Sequence, residues 1–119
     1  MHLKKLVPLV TVKSLAEVKD FYTTHFSFTP TMESEGYLSL AASHGAEIAF
    51  MKQDTCPPAL FSGEGLTLCL EVTDIDAEAA RLSKAGLPVV VPLRDNPWGD
   101  RSIIFRDPVG IHVYVYQSN

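Results

Sequence analysis

The chain has 119 residues, 46% of them hydrophobic, with a net charge of −4 at pH 7. This length fits a single domain that buries about two-thirds of the surface of its unfolded chain. The acidic balance argues against nucleic-acid binding, and no run of about 18 uncharged apolar residues predicts a membrane span. The acidity could favour a cationic ligand, but ordinary solubility is the preferred explanation.

Cysteine usage and the N-terminal sequence indicate the compartment. Cys56 and Cys69 are too few for a disulfide framework, so we expect reduced thiols, with a bridge between them as the less favoured alternative. The N-terminal MHLKKLVPLVTV has neither a long apolar region nor a small-residue cleavage site, so we expect no export. Together these features predict a cytoplasmic protein.

The first predicted helix follows a short strand in LVTVKSLAEVKDFY, residues 9–22. Ser14 and Glu17 form a capping-box pattern, which predicts a helix that begins near Leu15. The helix should end near residues 25–28. The segments FTPTME, GYLSLAA and AEIAFMK then predict three short strands joined by turns.

The second half of the chain repeats this order. In LCLEVTDIDAEAARL, residues 68–82, Asp74 occupies the N-cap place, and Gly86 suits the left-handed end of the helix. Three predicted strands follow, VVVPL, RSIIFRD and IHVYVYQ, and Gly110 matches Gly45 in the last turn of each half. We predict an α+β domain over residues 1–119, with modules at about 1–54 and 66–119 and a connector at 55–65.

With this repeat, the segments VKSLAEVKDFYTTHF, EVTDIDAEAARLSKAG and NPWGDRSIIFRDPVGIHVYVYQ make the chain resemble the vicinal oxygen chelate superfamily. This superfamily includes glyoxalases, extradiol dioxygenases and bleomycin-resistance proteins. The resemblance implies two tandem βαβββ modules that form a cupped, barrel-like mixed sheet with helices outside. It also implies a homodimer, but no single chemistry, because this fold hosts many.

The resemblance also implies four metal-ligand positions, commonly His on each first strand and Glu on each last strand. Matching the motifs places Val7 and Thr67 at the first-strand positions, and Ala49 and Tyr114 at the last-strand positions. Val and Ala have no donor atom, and Thr and neutral Tyr are poor ligands for zinc, iron or nickel. We therefore expect no metal and no other cofactor.

Alternation along the last strand of each module predicts the residues that face the cup. His112, Tyr114 and Tyr116 should share one face, as should Glu47 and Ala49 in the first module. Glu47 and His112 could then act as base and acid. The alternative is a solvated Glu47 at the rim and a His112 bonded to backbone or tyrosine.

The remaining candidates are ligand contacts. Tyr114 could stack on a flat ligand or donate a hydrogen bond, and Trp98 could cover the cup or a dimer seam. Arg101 could clamp an anionic group. The predicted ligand-binding set is Phe50, Thr67, Trp98, Arg101, His112 and Tyr114.

We therefore predict a metal-free protein that binds an apolar or aromatic small molecule, and sequesters it if it confers antibiotic resistance. The alternative is a glyoxalase-type lyase or isomerase, or a dioxygenase-like enzyme, that uses Glu47 and His112. A ligand-sensing or accessory domain is a third possibility. The predicted partners are a small-molecule ligand and a second copy of the chain, with neither nucleic acid nor membrane.

Overall fold

A computed structural model describes residues 1–53 and 60–119. The chain divides into two compact units, residues 1–61 and 62–119. Cys56 and part of the expected connector fall outside the described residues, as does any bridge from Cys56 to Cys69. Within the described ranges, Cys69 is a free and exposed cysteine.

The first unit has the strand and helix order that its sequence predicts. Its elements are β1 Leu9–Val12, α1 Leu15–Phe26, β2 Thr29–Glu33, β3 Tyr37–Ala41 and β4 Glu47–Lys52. The four strands form one sheet in the spatial order β1, β4, β3, β2, with β1 parallel to β4 and the other pairs antiparallel.

Local signals set both ends of α1. The Ser14 hydroxyl accepts the backbone N–H of Glu17 at 3.5 Å, which satisfies one of the free donors of the first turn. Ser27 ends the helix in the left-handed region at φ 58°, and its N–H bonds to the carbonyl of Tyr22. The capping prediction for this helix is confirmed.

The core of the first unit lies between α1 and one face of its sheet. Val18, Phe21 and Tyr22 are the buried residues of the helix. The ring of Tyr22 stacks on that of Phe50 in β4, with centroids 5.9 Å apart and an interplanar angle of 27°. This contact shows which face of β4 lies under the helix.

The second unit repeats the first. Its elements are β5 Thr67–Glu71, α2 Ile75–Lys84, β6 Val89–Asp95, β7 Asp100–Arg106 and β8 His112–Ser118. Its sheet has the strand order β5, β8, β7, β6, again with one parallel pair, β5 with β8. Asp74 caps α2 by accepting the N–H of Ala77 at 3.1 Å, and Gly86 follows at φ 86°.

The two units thus confirm an α+β fold of tandem βαβββ modules. The expected turn glycines Gly45 and Gly110 have φ of 101° and 93°, a region that side-chain-bearing residues rarely adopt. A Cβ on Gly110 would also lie 3.0 Å from the Cα of Gly63. Among the described residues, no helix combines the length and the apolar character that a membrane crossing requires.

Candidate functional site

Strand alternation separates the two faces of the second sheet. Val113 and Val115 of β8 are buried, and Gln117 shares their face. Its Oε1 accepts the N–H of Ile75 at the start of α2, at 3.0 Å, so this face lies under the helix. His112, Tyr114 and Tyr116 therefore project from the opposite face and are half-buried. We call that opposite side the aromatic face.

The hydroxyl of Tyr114 has its hydrogen-bonding capacity filled by neighbouring side chains. It accepts from Trp98 Nε1 at 3.2 Å and Asn96 Nδ2 at 3.3 Å, and it donates to Asp100 Oδ2 at 2.8 Å. The one hydrogen of the phenol is engaged by Asp100, and its oxygen accepts from Trp98 and shares an Asn96 Nδ2 hydrogen with the other two acceptors of that amide. The ring of Tyr114 therefore remains for contact with a ligand, whereas its hydroxyl has no hydrogen left to donate.

Trp98 lies in a tight turn between β6 and β7. The N–H of Asn96 bonds to the carbonyl of Asp100 at 2.8 Å, and the N–H of Gly99 bonds to the carbonyl of Asn96 at 3.1 Å. Gly99 has φ of 104°, which favours glycine at this position. The turn leaves Trp98 64% exposed, although its indole N–H is bonded to Tyr114.

Tyr116 extends the aromatic face beside Tyr114. The two ring centroids are 5.6 Å apart with an interplanar angle of 56°. Burial raises the pKa of Tyr116, and the nearby Glu71 and Cys69 raise it further. Tyr116 therefore stays neutral at physiological pH and offers a ring and a protonated hydroxyl.

A buried polar group lies next to Tyr114, and we call Asn96, Asp100 and Ser102 the Asn96 cluster. Asn96 and Asp100 are only 7% and 9% exposed. Asn96 Nδ2 donates to Asp100 Oδ1 at 2.7 Å and to Ser102 Oγ at 2.8 Å. Asn96 Oδ1 is buried without a hydrogen-bond partner in the described residues. Asn96 and Asp100 are not among the residues predicted from sequence, although both flank Trp98 in the RDNPWGD loop.

Arg101 lies on the other face of β7. It is opposite Gln117 in the strand register, hence on the side of α2. Its guanidinium donates to Asp76 Oδ1 at 3.0 Å and to Asp95 Oδ2 at 3.2 Å. The bond to Asp76 raises the pKa of Arg101. The expected anion clamp is thus separated from the aromatic face by the sheet itself.

Phe50 also departs from its expected location, and this expectation is corrected. It is 0% exposed and packs under α1 against Tyr22. Glu47 and Ala49 lie three and one residues before Phe50 in β4, both odd offsets, so they face the other side of the strand. A residue buried beneath α1 cannot line the same surface as Glu47.

Glu47 is held by three side chains in the first unit. Its carboxylate accepts from Lys5 Nζ at 2.9 Å, Ser39 Oγ at 2.9 Å and Thr31 Oγ1 at 3.0 Å. The bond from Lys5 lowers the pKa of Glu47 most, followed by those from Ser39 and Thr31. A carboxylate stabilised in this way is a weak proton acceptor at neutral pH.

The remaining candidates lie at one end of the second sheet. Thr67 is exposed at the start of β5 and pairs in register with His112. The His112 side chain forms no hydrogen bond with the part of the chain that the structure describes. Glu47 belongs to the first unit and His112 to the second.

The donor set does not fit the metal that the fold family commonly carries. Val7, which precedes β1, and Ala49 offer no donor atom, Thr67 offers only a neutral hydroxyl, and the Tyr114 hydroxyl is engaged. In residues 1–53 and 60–119, no three His, Cys, Asp or Glu side chains group as a metal site would require. We therefore derive no metal-dependent step.

The two βαβββ units define a class of duplicated α+β domains. Residues 2–115 match the profile of the Glyoxalase/Bleomycin resistance protein/Dioxygenase superfamily, and the chain belongs to this family.

Individual relatives agree with this assignment. An uncharacterised protein of Mycobacterium bovis is 33% identical over 119 residues, an alignment that covers 90% of this chain and 78% of that protein. The crystal structure of TnmS3, an antibiotic binding protein from Streptomyces sp. CB03234, is 28% identical with a TM-score of 0.76, and the match covers 99% of this chain and 98% of TnmS3. A glyoxalase/bleomycin resistance protein/dioxygenase from Nocardioides shares the fold at 23% identity and a TM-score of 0.81, covering 99% of this chain and 85% of that one.

Proposed function

We propose that this chain is a metal-free small-molecule-binding protein that holds a planar aromatic or apolar ligand against its aromatic face. The observation that carries the proposal is Trp98, 64% exposed yet tied through Nε1 to Tyr114. An exposed indole held in a fixed position loses side-chain freedom without gaining burial. A ligand that covers it would supply that burial.

The proposed contacts are rings rather than hydrogen-bond donors. Tyr114 and Tyr116 lie side by side, and a flat ligand can stack on either ring because its contact is mainly apolar. Thr67 and His112 are proposed as rim contacts at the far end of β8. Arg101 is assigned a structural role instead, since Asp76 and Asp95 engage its guanidinium.

Similarity to TnmS3 supports an antibiotic as the ligand. That protein is described as antibiotic binding, and its identity to this chain is 28%. If this chain acts likewise, it would protect by sequestration, so affinity for the ligand and not turnover is the relevant quantity. Catalysis by Glu47 and His112 is not part of the proposal, because the low pKa of Glu47 makes its carboxylate a weak base.

The fluorescence of Trp98, the single tryptophan of the chain, provides the test. A panel of planar compounds that includes bleomycin-like antibiotics is titrated, and the melting temperature is measured with each. A true ligand quenches Trp98 and raises the melting temperature, with about 2.7 kcal/mol of stabilisation at a hundredfold excess over Kd. If no compound produces either effect, the proposal fails.

A matched pair of variants locates the binding. Trp98→Ala should weaken ligand binding in calorimetry, whereas Met32→Ala should leave it unchanged. Met32 is 63% exposed and so controls for the loss of an exposed apolar side chain in the first unit. Equal effects of the two substitutions would contradict a site on the aromatic face.

The assembly and location of the protein also belong to the proposal. We propose a homodimer in the cytoplasm, supported by the family to which the chain belongs and by its low cysteine content. Sedimentation equilibrium at micromolar concentration distinguishes a dimer of twice 13.1 kDa from a monomer.

A further inference from the structure

The Asn96 cluster has unused acceptors. Asn96 Nδ2 donates to Asp100, Ser102 and Tyr114, and the Tyr114 hydrogen goes to Asp100. Asn96 Oδ1, buried in a side chain that is 7% exposed, accepts from no group in the described residues. It is bonded to the same carbon as Nδ2, so it lies at the edge of this network. Asn96 Oδ1 therefore lacks a hydrogen-bond donor.

The cluster also carries an unpaired negative charge. Asp100 is 9% exposed and accepts from two neutral groups, the Asn96 amide and the Tyr114 hydroxyl. In the described part of the chain it forms no ion pair. A carboxylate so placed is stabilised further by a cation that can reach its remaining lone pairs.

The Asp100 carboxylate increases the electron density of the Tyr114 ring, which a ligand would contact. A phenol that donates to a carboxylate gains electron density on its ring, and an electron-rich face attracts cations. Tyr116 lies beside it and is opposite Glu71 in the parallel register. The two rings thus lie between two carboxylates, Asp100 and Glu71.

The arginines of the second sheet do not pair with Asp100 or Glu71. Arg106 is opposite His112, at the other end of β7 from Asp100 and about 20 Å away at the usual rise of a strand. Arg94 is opposite Ser102 and therefore on the aromatic face, but it is exposed, so solvent screens its charge, and it forms no ion pair with Asp100 or Glu71 in the described residues. Arg101 is on the α2 side.

We infer that the ligand of the aromatic face is a planar cation, whose N–H group is directed towards Asp100 and Asn96 while its rings stack on Tyr114, Tyr116 and Trp98. This inference rests on the proposed function and specifies its ligand class. A positively charged ligand is favoured by three features: the unpartnered Asn96 Oδ1, the buried Asp100 carboxylate without an ion pair, and the electron-rich tyrosine rings.

Three tricyclic probes of equal shape test it by calorimetry on the whole chain at about pH 7. They are 9-aminoacridine, which is cationic, acridine, which is neutral, and acridine-9-carboxylate, which is anionic. We expect 9-aminoacridine to bind about tenfold more tightly than acridine, and the carboxylate to bind most weakly. Equal affinities would overturn the inference while leaving the proposed function intact. If none of the three binds but other planar compounds do, the inference also fails and the proposed function stands.

Charge-removing variants test whether Asp100 causes the preference for the cationic probe. Asp100→Asn should reduce the ratio between cation and neutral probe to about twofold or less. Asp95→Asn removes the same charge from an exposed carboxylate that pairs with Arg101 on the other face, and it should keep the wild-type ratio. If Asp100→Asn fails to fold, Glu71→Gln at an exposed position serves instead, and an unchanged ratio in it would overturn the inference.

Discussion

The hydroxyl of Tyr114 donates its hydrogen to Asp100, 14 residues earlier in the chain, at 2.8 Å. The same oxygen accepts from Trp98 and Asn96. One phenol therefore joins the last strand of the second module to the turn before β7. The stability of that turn and the position of the rings of the aromatic face depend on the same atom.

Removing the Tyr114 hydroxyl should lower the free energy of unfolding but keep the ring that a ligand is proposed to contact. Tyr114→Phe keeps the ring but removes the hydrogen bond to Asp100 Oδ2, so we expect a loss of about 1–3 kcal/mol in the free energy of unfolding. Affinity for a neutral planar ligand, which depends on the ring, should change little. Tyr114→Leu loses the ring as well and should lose binding. Urea unfolding and calorimetry measure the two effects, and a Phe variant that folds normally but binds nothing would contradict stacking.

Phe50→Ala should affect stability alone. The ring is 0% exposed and stacked on Tyr22, so its removal should cost about 3–5 kcal/mol. Met51→Ala, at the adjacent half-buried position on the opposite face, should cost much less. Thermal unfolding of the pair provides the measurement. Comparable losses from both would be inconsistent with the placement of Phe50 beneath α1.

The two turn glycines allow backbone strain to be separated from packing. Gly45→Ala and Gly110→Ala both place a side chain at positive φ, which costs about 1–2 kcal/mol. Only at Gly110 would the new Cβ meet another segment, at 3.0 Å from the Cα of Gly63, whereas nothing lies within 4 Å at Gly45. Denaturant unfolding should show a larger loss at Gly110. Equal losses would argue against this contact.

The pH dependence of stability tests the environment of Glu47. Because the Lys5 bond lowers its pKa in the folded state, Glu47 stabilises the fold above its unfolded pKa of about 4.3 and stops doing so as pH falls through the folded value. Wild type should therefore exceed Glu47→Gln in stability at about pH 7 and converge with it in acid. Lys5→Ala should raise the pKa of Glu47 in an NMR titration. An unchanged carboxyl titration would show that the ion pair does not form.

Local sequence signals predict the order of helices and strands, and the family resemblance implies the sheets that they form. Ser14 and Asp74 cap their helices through neighbours three residues away, and such contacts are readable from sequence. Phe50 was misplaced even though alternation alone sets it opposite to Glu47. Arg101 and Asn96 could not be placed from sequence, because their partners Asp76 and Tyr114 lie 25 and 18 residues away and meet them only through strand and helix packing.

The saturated hydrogen bonds of Tyr114 have a thermodynamic consequence. Because folding already orders this ring and the Trp98 turn, a ligand need not immobilise them, and its association loses little conformational entropy. The proposed binding surface is in this sense preorganised. Association should then show the negative heat-capacity change of apolar burial without the large unfavourable entropy that accompanies ordering of a loop.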